Sequence, residues 1–164
     1  MPLDSDPIAE ARRNWRAHDW GDPDAMAAAT SIVRAHQILL ARIDATLAPF
    51  SLTFSRFEAL ALLDFSRRGS LPMGKIGARL QVHPTSVTNT IGRLERDGLV
   101  RRLGADGDRR TVLAEITADG RRVVRSAASA LADSGFGLSG LAGDEVRAIH
   151  DALVPLRREA GDFS

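Results

Sequence analysis

The stretch MGKIGARLQVHPTSVTNTIGRLERDGLVRR, residues 73–102, constrains the fold of this chain more than any other. Ile76 and Leu80 stand four apart, which marks 73–80 as a short helix. After Gln81 and Val82, Pro84 suits the first position of a second helix, where a missing N–H costs nothing. There Val87, Ile91 and Leu94 form an i, i+4, i+7 apolar stripe, and Val82 and Val87 occupy the two places of a hydrophobic staple. Residues 99–103 and 110–116 then read as strands, the second alternating Val112, Ala114 and Ile116 against Thr111, Leu113 and Glu115. The turn GADGD joins them, with Gly104 and Gly107 allowing a tight reversal. Short helix, tight turn, second helix, hairpin is the order of a winged helix-turn-helix.

Helical patterning surrounds this core. Residues 6–18 predict a short helix with Ile8, Ala11 and Trp15 on one side; Asp22 as N-cap and Pro23 in the first turn start another. From 26 to 50 the apolar residues, among them Ile32, Val33, Leu40, Ile43 and Leu47, keep helical spacing over roughly six turns. So long an apolar stripe near a terminus calls for a partner helix. Thr53 is placed to cap a third helix whose buried side is Phe54, Phe57, Leu60, Ala61 and Phe65. Thr117 opens a helix to about Ser134, and a Gly-rich segment leads to a last helix carrying Val146, Ile149, Leu153 and Leu156. Pro155 predicts a kink or an early end there.

The bulk composition excludes several function classes. At 164 residues with 44% hydrophobic content the chain is long enough for one domain with a real core. It has no cysteine, so disulfides, thiolate catalysis and Cys-rich zinc sites are out. No basic-then-apolar leader and no run of about 18 apolar residues occurs, so neither export nor a membrane span is expected and the setting is read as cytoplasmic. No Ser/His/Asp ordering, Gly-rich phosphate loop or metal-ligand spacing marks an enzyme, and the four histidines are scattered; no cofactor or metal is expected. A net charge of +1 hides an uneven map: residues 66–110 hold ten basic and four acidic side chains, net +6, and the remainder is net −5. A basic middle within acidic flanks is the charge pattern of a part that meets a polyanion.

Projection of the second helix at 100° per residue sharpens that reading. Opposite the apolar stripe lie Thr85, Asn89, Gly92, Arg93 and Arg96, with Ser86 and Thr88 alongside, and no acid. Small polar residues suit entry into a major groove, where they meet base edges, and the arginines suit phosphate or guanine. Arg109 and Arg110 at the hairpin tip are placed to reach phosphate or a minor groove, and Asp108 to aim an arginine. His83 is placed to cap the helix or touch a phosphate. The alternative is a winged-helix module for protein–protein contact without DNA.

LTFSRFEALALL, MGKIGARLQVHPTSVTNTIGRLERDGLVRR and DGDRRTVLAEITADG together resemble the MarR family of bacterial transcription regulators over about residues 26–158. The resemblance implies a mainly α fold with a small β-hairpin wing, and a homodimer interlocked by terminal helices. It implies a pseudo-palindromic double-stranded operator as partner. It also gives the division 1–23 N-terminal extension, 24–52 dimerisation helix, 53–117 winged helix-turn-helix domain and 118–164 C-terminal dimerisation helices. By it, helix 84–97 is the recognition helix, Asp108 and Arg110 fill the wing's Asp-x-Arg slots with Arg110 toward the minor groove, and Arg109 meets phosphate. Repression relieved by a small anionic or aromatic ligand is implied as well. The extra N-terminal segment with RRNW is similar to the urate-responsive branch, which implies ligand residues Trp15, Glu58 and Arg102. Thr90 stands where that branch has an arginine, so one anion-binding group is absent. Trp15 and Trp20 equally suit packing of the extra helix, and Glu58 an ion pair with Arg56 or Arg34. Pro72 and Ala142 replace the usual capping residues of two helices.

Overall fold

The computed structural model describes residues 3–105 and 108–163, with residues 105 and 108–110 as backbone alone. Among the described residues seven α-helices and three strands follow in chain order: α1 Pro7–Ala17, α2 Pro23–Leu47, α3 Phe54–Phe65, β1 Ser70–Pro72, α4 Met73–Leu80, α5 Pro84–Arg96, β2 Val100–Ala105, β3 Asp108–Ile116, α6 Ala118–Asp133 and α7 Gly143–Glu159. Two units emerge, Met1–Ala41 and Arg42–Ser164.

In the first unit Asp6 caps α1 by accepting the Ile8 N–H at 2.9 Å, and Asp22 accepts the Asp24 N–H at 2.8 Å at the start of α2. Arg12 Nε donates to Asp24 at 2.6 Å, tying the two helices. Trp15 and Trp20 meet edge to face with ring centroids 5.3 Å apart, and His18 lies 5.2 Å from Trp20. No residue of α1 is buried, and Ile32, Val33 and Ile38 of α2 are exposed, so this part of the apolar stripe is uncovered by its own unit.

The second unit is a helical core closed by a three-stranded antiparallel sheet of order β1-β3-β2. The end of α2 (Ile43, Leu47), α3, α4, α5, the sheet and α6 supply the buried apolar side chains. β1 pairs Leu71 with Ala114 and Pro72 with Leu113. A proline at a sheet edge leaves no ladder N–H missing. Thr117 caps α6, accepting the Gly120 N–H at 3.0 Å and donating to the Gly98 carbonyl at 2.8 Å. The turn between α4 and α5 closes through Gln81, which adopts a left-handed φ of 50°. Gly77 allows the close approach of the two helices: a Cβ there would sit 3.2 Å from Val87 Cγ2.

Several expectations are corrected. Thr53 holds the N-cap position of α3 but makes no capping bond; Asp44 of α2 instead accepts the Phe54 N–H at 2.7 Å. Phe65 is 84% exposed, because the buried arc of α3 is centred on Phe57, Ala59, Leu60 and Leu63 and the last turn leaves the core. Val112 is exposed although Ala114 and Ile116 on the same strand are buried, since β3 runs on past the helical core. α7 does not end at Pro155 but continues to Glu159. The bond that a proline forfeits there is to the carbonyl of Asp151, an exposed residue, so the loss falls at the surface rather than in the core. No residue of α7 is buried, and Ile149 and Leu156 are exposed.

Candidate nucleic-acid interface

α5 is fixed from one side and open on the other. Val87, Ile91 and Leu94 are buried against the core, as the apolar stripe requires. His83 caps its N-terminus, with Nδ1 accepting the Thr85 N–H at 3.2 Å. Thr85, Ser86, Thr88, Asn89, Arg93 and Arg96 are all exposed. Thr88 donates its hydroxyl to the Pro84 carbonyl at 3.1 Å and keeps acceptor capacity. The side chains of Ser86, Asn89, Arg93 and Arg96 have no hydrogen-bond or ion-pair partner among the described residues. Their donors and acceptors are free for an external ligand, and the positive end of the helix dipole adds to the field at Pro84 and Thr85.

The acids near this face are already engaged. Asp97, at the end of α5, pairs with Arg56 of α3, whose Nη1 also donates to the Ser51 carbonyl at 2.7 Å. Glu95 accepts the Arg102 backbone N–H at 3.2 Å and lies 3.6 Å from its guanidinium. Arg102 Nη2 also donates to the Thr88 carbonyl at 3.1 Å, so one side chain of β2 holds α5 at two points. Gly92 leaves room for it: a Cβ there would lie 3.2 Å from Arg102 Nη2. Arg101 pairs with its cross-strand neighbour Glu115, which raises the Arg101 pKa above its usual value through the hydrogen bond and the opposite charge. The two arginines at the wing base are therefore internal ties. The readings for Asp108, Arg109 and Arg110 concern side chains outside the described ones; their backbone belongs to β3.

α5 stands between two clefts. One of about 660 Å³ runs along α4, α5 and the wing, bordered by Lys75, Thr88, Arg102 and Thr111; the other, about 220 Å³, is bordered by Ser55, Ser86, Asn89 and Arg93. Thr88 faces the first and Asn89 the second, so the exposed face of α5 forms a ridge with a cation on each flank. Lys75, exposed and without a partner among the described residues, is a member that the sequence reading misses. Its own helix carries no signal for which side faces α5; only the packing of α4 on the wing places it there.

Within the second unit, Glu58 and Arg102, two of the residues implied for a ligand, border different clefts. Glu58 borders a third cavity, of about 290 Å³, between α3, α4 and α5, and burial raises its carboxyl pKa. Arg102 borders the wing cleft, and Trp15 lies in the first unit with Trp20 and His18. Glu58 does not pair with Arg56, which Asp97 and Ser51 occupy. Among the described residues no group of His, Asp and Glu is arranged to hold a metal ion, and no single helix is long and apolar enough to cross a membrane.

Comparison with known proteins agrees with this geometry. The MarR family profile matches residues 52–112. Sco5413, a MarR family transcriptional regulator from Streptomyces coelicolor, is 52% identical, with a TM-score of 0.81 over 86% of this chain and 98% of its own. The transcriptional regulator MOSR of M. tuberculosis, solved in complex with DNA, is 29% identical, with a TM-score of 0.68 over 83% of this chain and 98% of its own. The HTH-type transcriptional regulator YhbI of Bacillus subtilis is 30% identical over 96 residues, which span 58% of this chain and 61% of YhbI. With half its residues shared across nearly the full length of Sco5413 and the profile lying on its winged helix, this chain belongs to the MarR family, whose members are DNA-binding transcriptional regulators rather than enzymes.

Proposed function

We propose that the chain is a homodimeric, sequence-specific repressor that binds a pseudo-palindromic operator in the cytoplasm. The observation that carries this is the exposed, acid-free ridge of α5, with Ser86, Asn89, Arg93 and Arg96 unpaired among the described residues and cation-bearing clefts on both sides. Thr85, Ser86, Thr88 and Asn89 read base edges in the major groove; Arg93 and Arg96 meet phosphate or guanine. Asp108, Arg109 and Arg110 serve the wing, Arg110 in the minor groove and Arg109 on phosphate, with Asp108 aiming. The uncovered apolar faces of α2 and α7 support segments 24–52 and 118–164 as the dimerisation parts. Two recognition helices about one DNA turn apart, roughly 34–36 Å, then face successive major grooves.

Release by a small anionic or aromatic ligand completes the reading. Such a ligand acts by favouring a dimer whose helices are wrongly spaced for the operator. Glu58 beside α5, Arg102 between α5 and the wing, and Trp15 in the amino-terminal aromatic cluster are the residues through which it acts.

The test is duplex selection from genomic fragments, followed by fluorescence anisotropy of the selected duplex across a salt series. A linear fall of log affinity with log salt, of slope near −0.9 per neutralised phosphate, is expected. No retained duplex at low salt, or a flat salt dependence, overturns the proposal in favour of a protein-binding module.

A further inference from the structure

The cavity of about 290 Å³ between α3, α4 and α5 has apolar walls from Ile76, Leu80 and Ile91 and one ionisable group, Glu58. Within its unit Glu58 has no hydrogen bond or ion pair among the described residues. The nearest cation along α3, Arg56, is held by Asp97 and the Ser51 carbonyl. Burial raises the Glu58 carboxyl pKa, so the folded chain tolerates this acid rather than using it to hold the core together. Ser86 and Thr90, one turn apart on α5, also border the cavity, and neither hydroxyl has a partner among the described residues.

The polar side chains bordering this space are thus one carboxylate and three hydroxyls, those of Ser86, Thr90 and Ser55, the last already hydrogen-bonded to Thr53, and no cationic side chain borders it. Against such a set an anion is repelled in a poorly screened setting. A group that donates several hydrogen bonds and carries positive charge is drawn in. The volume admits a body of roughly ten to fifteen non-hydrogen atoms, taking the share of one water in the liquid, about 30 Å³, as an upper measure per atom. The apolar walls favour a hydrocarbon or aromatic body.

We propose that this cavity binds a small organic cation, an ammonium or amidinium on an apolar, flat body, with the charged group on Glu58 and its remaining donors shared with Ser86 and Thr90. This rests on the effector reading above in its aromatic form, and differs from it in placing a cation rather than an anion at Glu58. Ser86 and Thr90 also border the 220 Å³ cleft with Asn89 and Arg93, so both hydroxyls of the ligand site belong to the DNA side of α5 as well. Occupancy holds Ser86 and Thr90 toward α3 and wedges α4 from α5. Ligand and operator then oppose each other by the same factor in both directions.

Benzamidine and benzoate, nearly equal in shape and opposite in charge, are the probes. Titration calorimetry on the full-length protein, wild type and Glu58→Gln, is expected to show benzamidine binding at least about tenfold tighter than benzoate, and that preference lost in Glu58→Gln. Equal or tighter binding of benzoate, benzamidine affinity unchanged by Glu58→Gln, or no binding of benzamidine up to about 10 mM overturns the proposal. The charge preference of the wild type is informative even where the variant is unstable. DNA binding is scored separately in the salt series without ligand, so failure of the cation site and failure of the regulator reading give different results.

Discussion

Gly120→Ala should destabilise this protein, although glycine-to-alanine in a helix ordinarily helps. Gly120 lies in the first turn of α6, where the helix meets the base of the wing. A Cβ at this position would fall far inside contact with the Leu99 carbonyl oxygen, 3.1 Å from its carbon and 2.8 Å from Ile116 Cγ1. A carbon meets a carbonyl oxygen comfortably at about 3.3 Å or more, so α6 and the start of β2 must separate by roughly 1 Å. Neither obstacle is the free end of a long side chain: Leu99 and Ile116 are both buried. The same carbonyl accepts the Thr117 N–H at 3.0 Å and its hydroxyl at 3.2 Å, and the shift strains both bonds. Overpacking costs about 1–3 kcal/mol, one weakened hydrogen bond about 0.5–1.5, and the helix gains back about 1. The net is about 0.5–3.5 kcal/mol of lost stability, centred near ~2. Gly74→Ala in α4 is the control. Nothing lies within 4 Å of its Cβ position, so a gain of up to about 1 kcal/mol is expected. Urea unfolding of both variants and wild type at equal protomer concentration measures the difference, since dimerisation makes stability concentration-dependent. If Gly120→Ala matches or exceeds wild type, the close packing of α6 on the wing base is refuted.

Other expectations concern the interface and the ion pairs. Arg102→Met keeps the aliphatic stem and removes the tie from β2 to α5; a loss of about 1–2 kcal/mol is expected, discounted for a side chain one-third exposed. A double-mutant cycle with Glu95→Gln checks it, and zero coupling would show that the pair does not hold the wing base. Asn89→Ala should relax sequence preference, with base substitutions in the operator costing less than the usual ~1–3 kcal/mol at one position, while nonspecific affinity holds. Equal losses on specific and random duplex would assign Asn89 to phosphate. Burial raises the Asp64 pKa, but hydrogen bonds and charge from Arg125 and Arg121 outweigh it and hold the carboxyl below its ordinary value. A depressed folded pKa contributes stability that is complete above the unfolded value of about 3.9 and fades as pH falls through the lower folded value. The stability gap between wild type and Asp64→Asn in urea should therefore be constant above about pH 5 and shrink below about pH 4. A gap that persists unchanged at pH 2–3 would rule out the ionic contribution.

The order of elements was legible in the sequence because it rests on local periodicity. Val87, Ile91 and Leu94 are neighbours through helix geometry alone, so the buried side of α5, and with it the exposed set Thr85 to Arg96, followed from spacing at 100° per residue. Proline at position 84, His83 before it and Thr117 at the start of α6 mark helix starts by chemistry that acts within three residues. Partners that lie far apart in the chain were decided only by packing. Arg101 meets Glu115 because of the register of β2 on β3, and Arg102 reaches Thr88 because the wing base lies against α5, each across 14 residues of sequence. Arg56 meets Asp97 across 41, a pairing that no local spacing announces. Asp44 displaced Thr53 as the cap of α3, and Lys75 joined the α5 flank, for the same reason. A one-dimensional pattern specifies which residues share a face of one element. Which faces meet, and so whether a given charge is a strut, a free contact or an unpaired guest in a cavity, is set by the energy of packing those elements together.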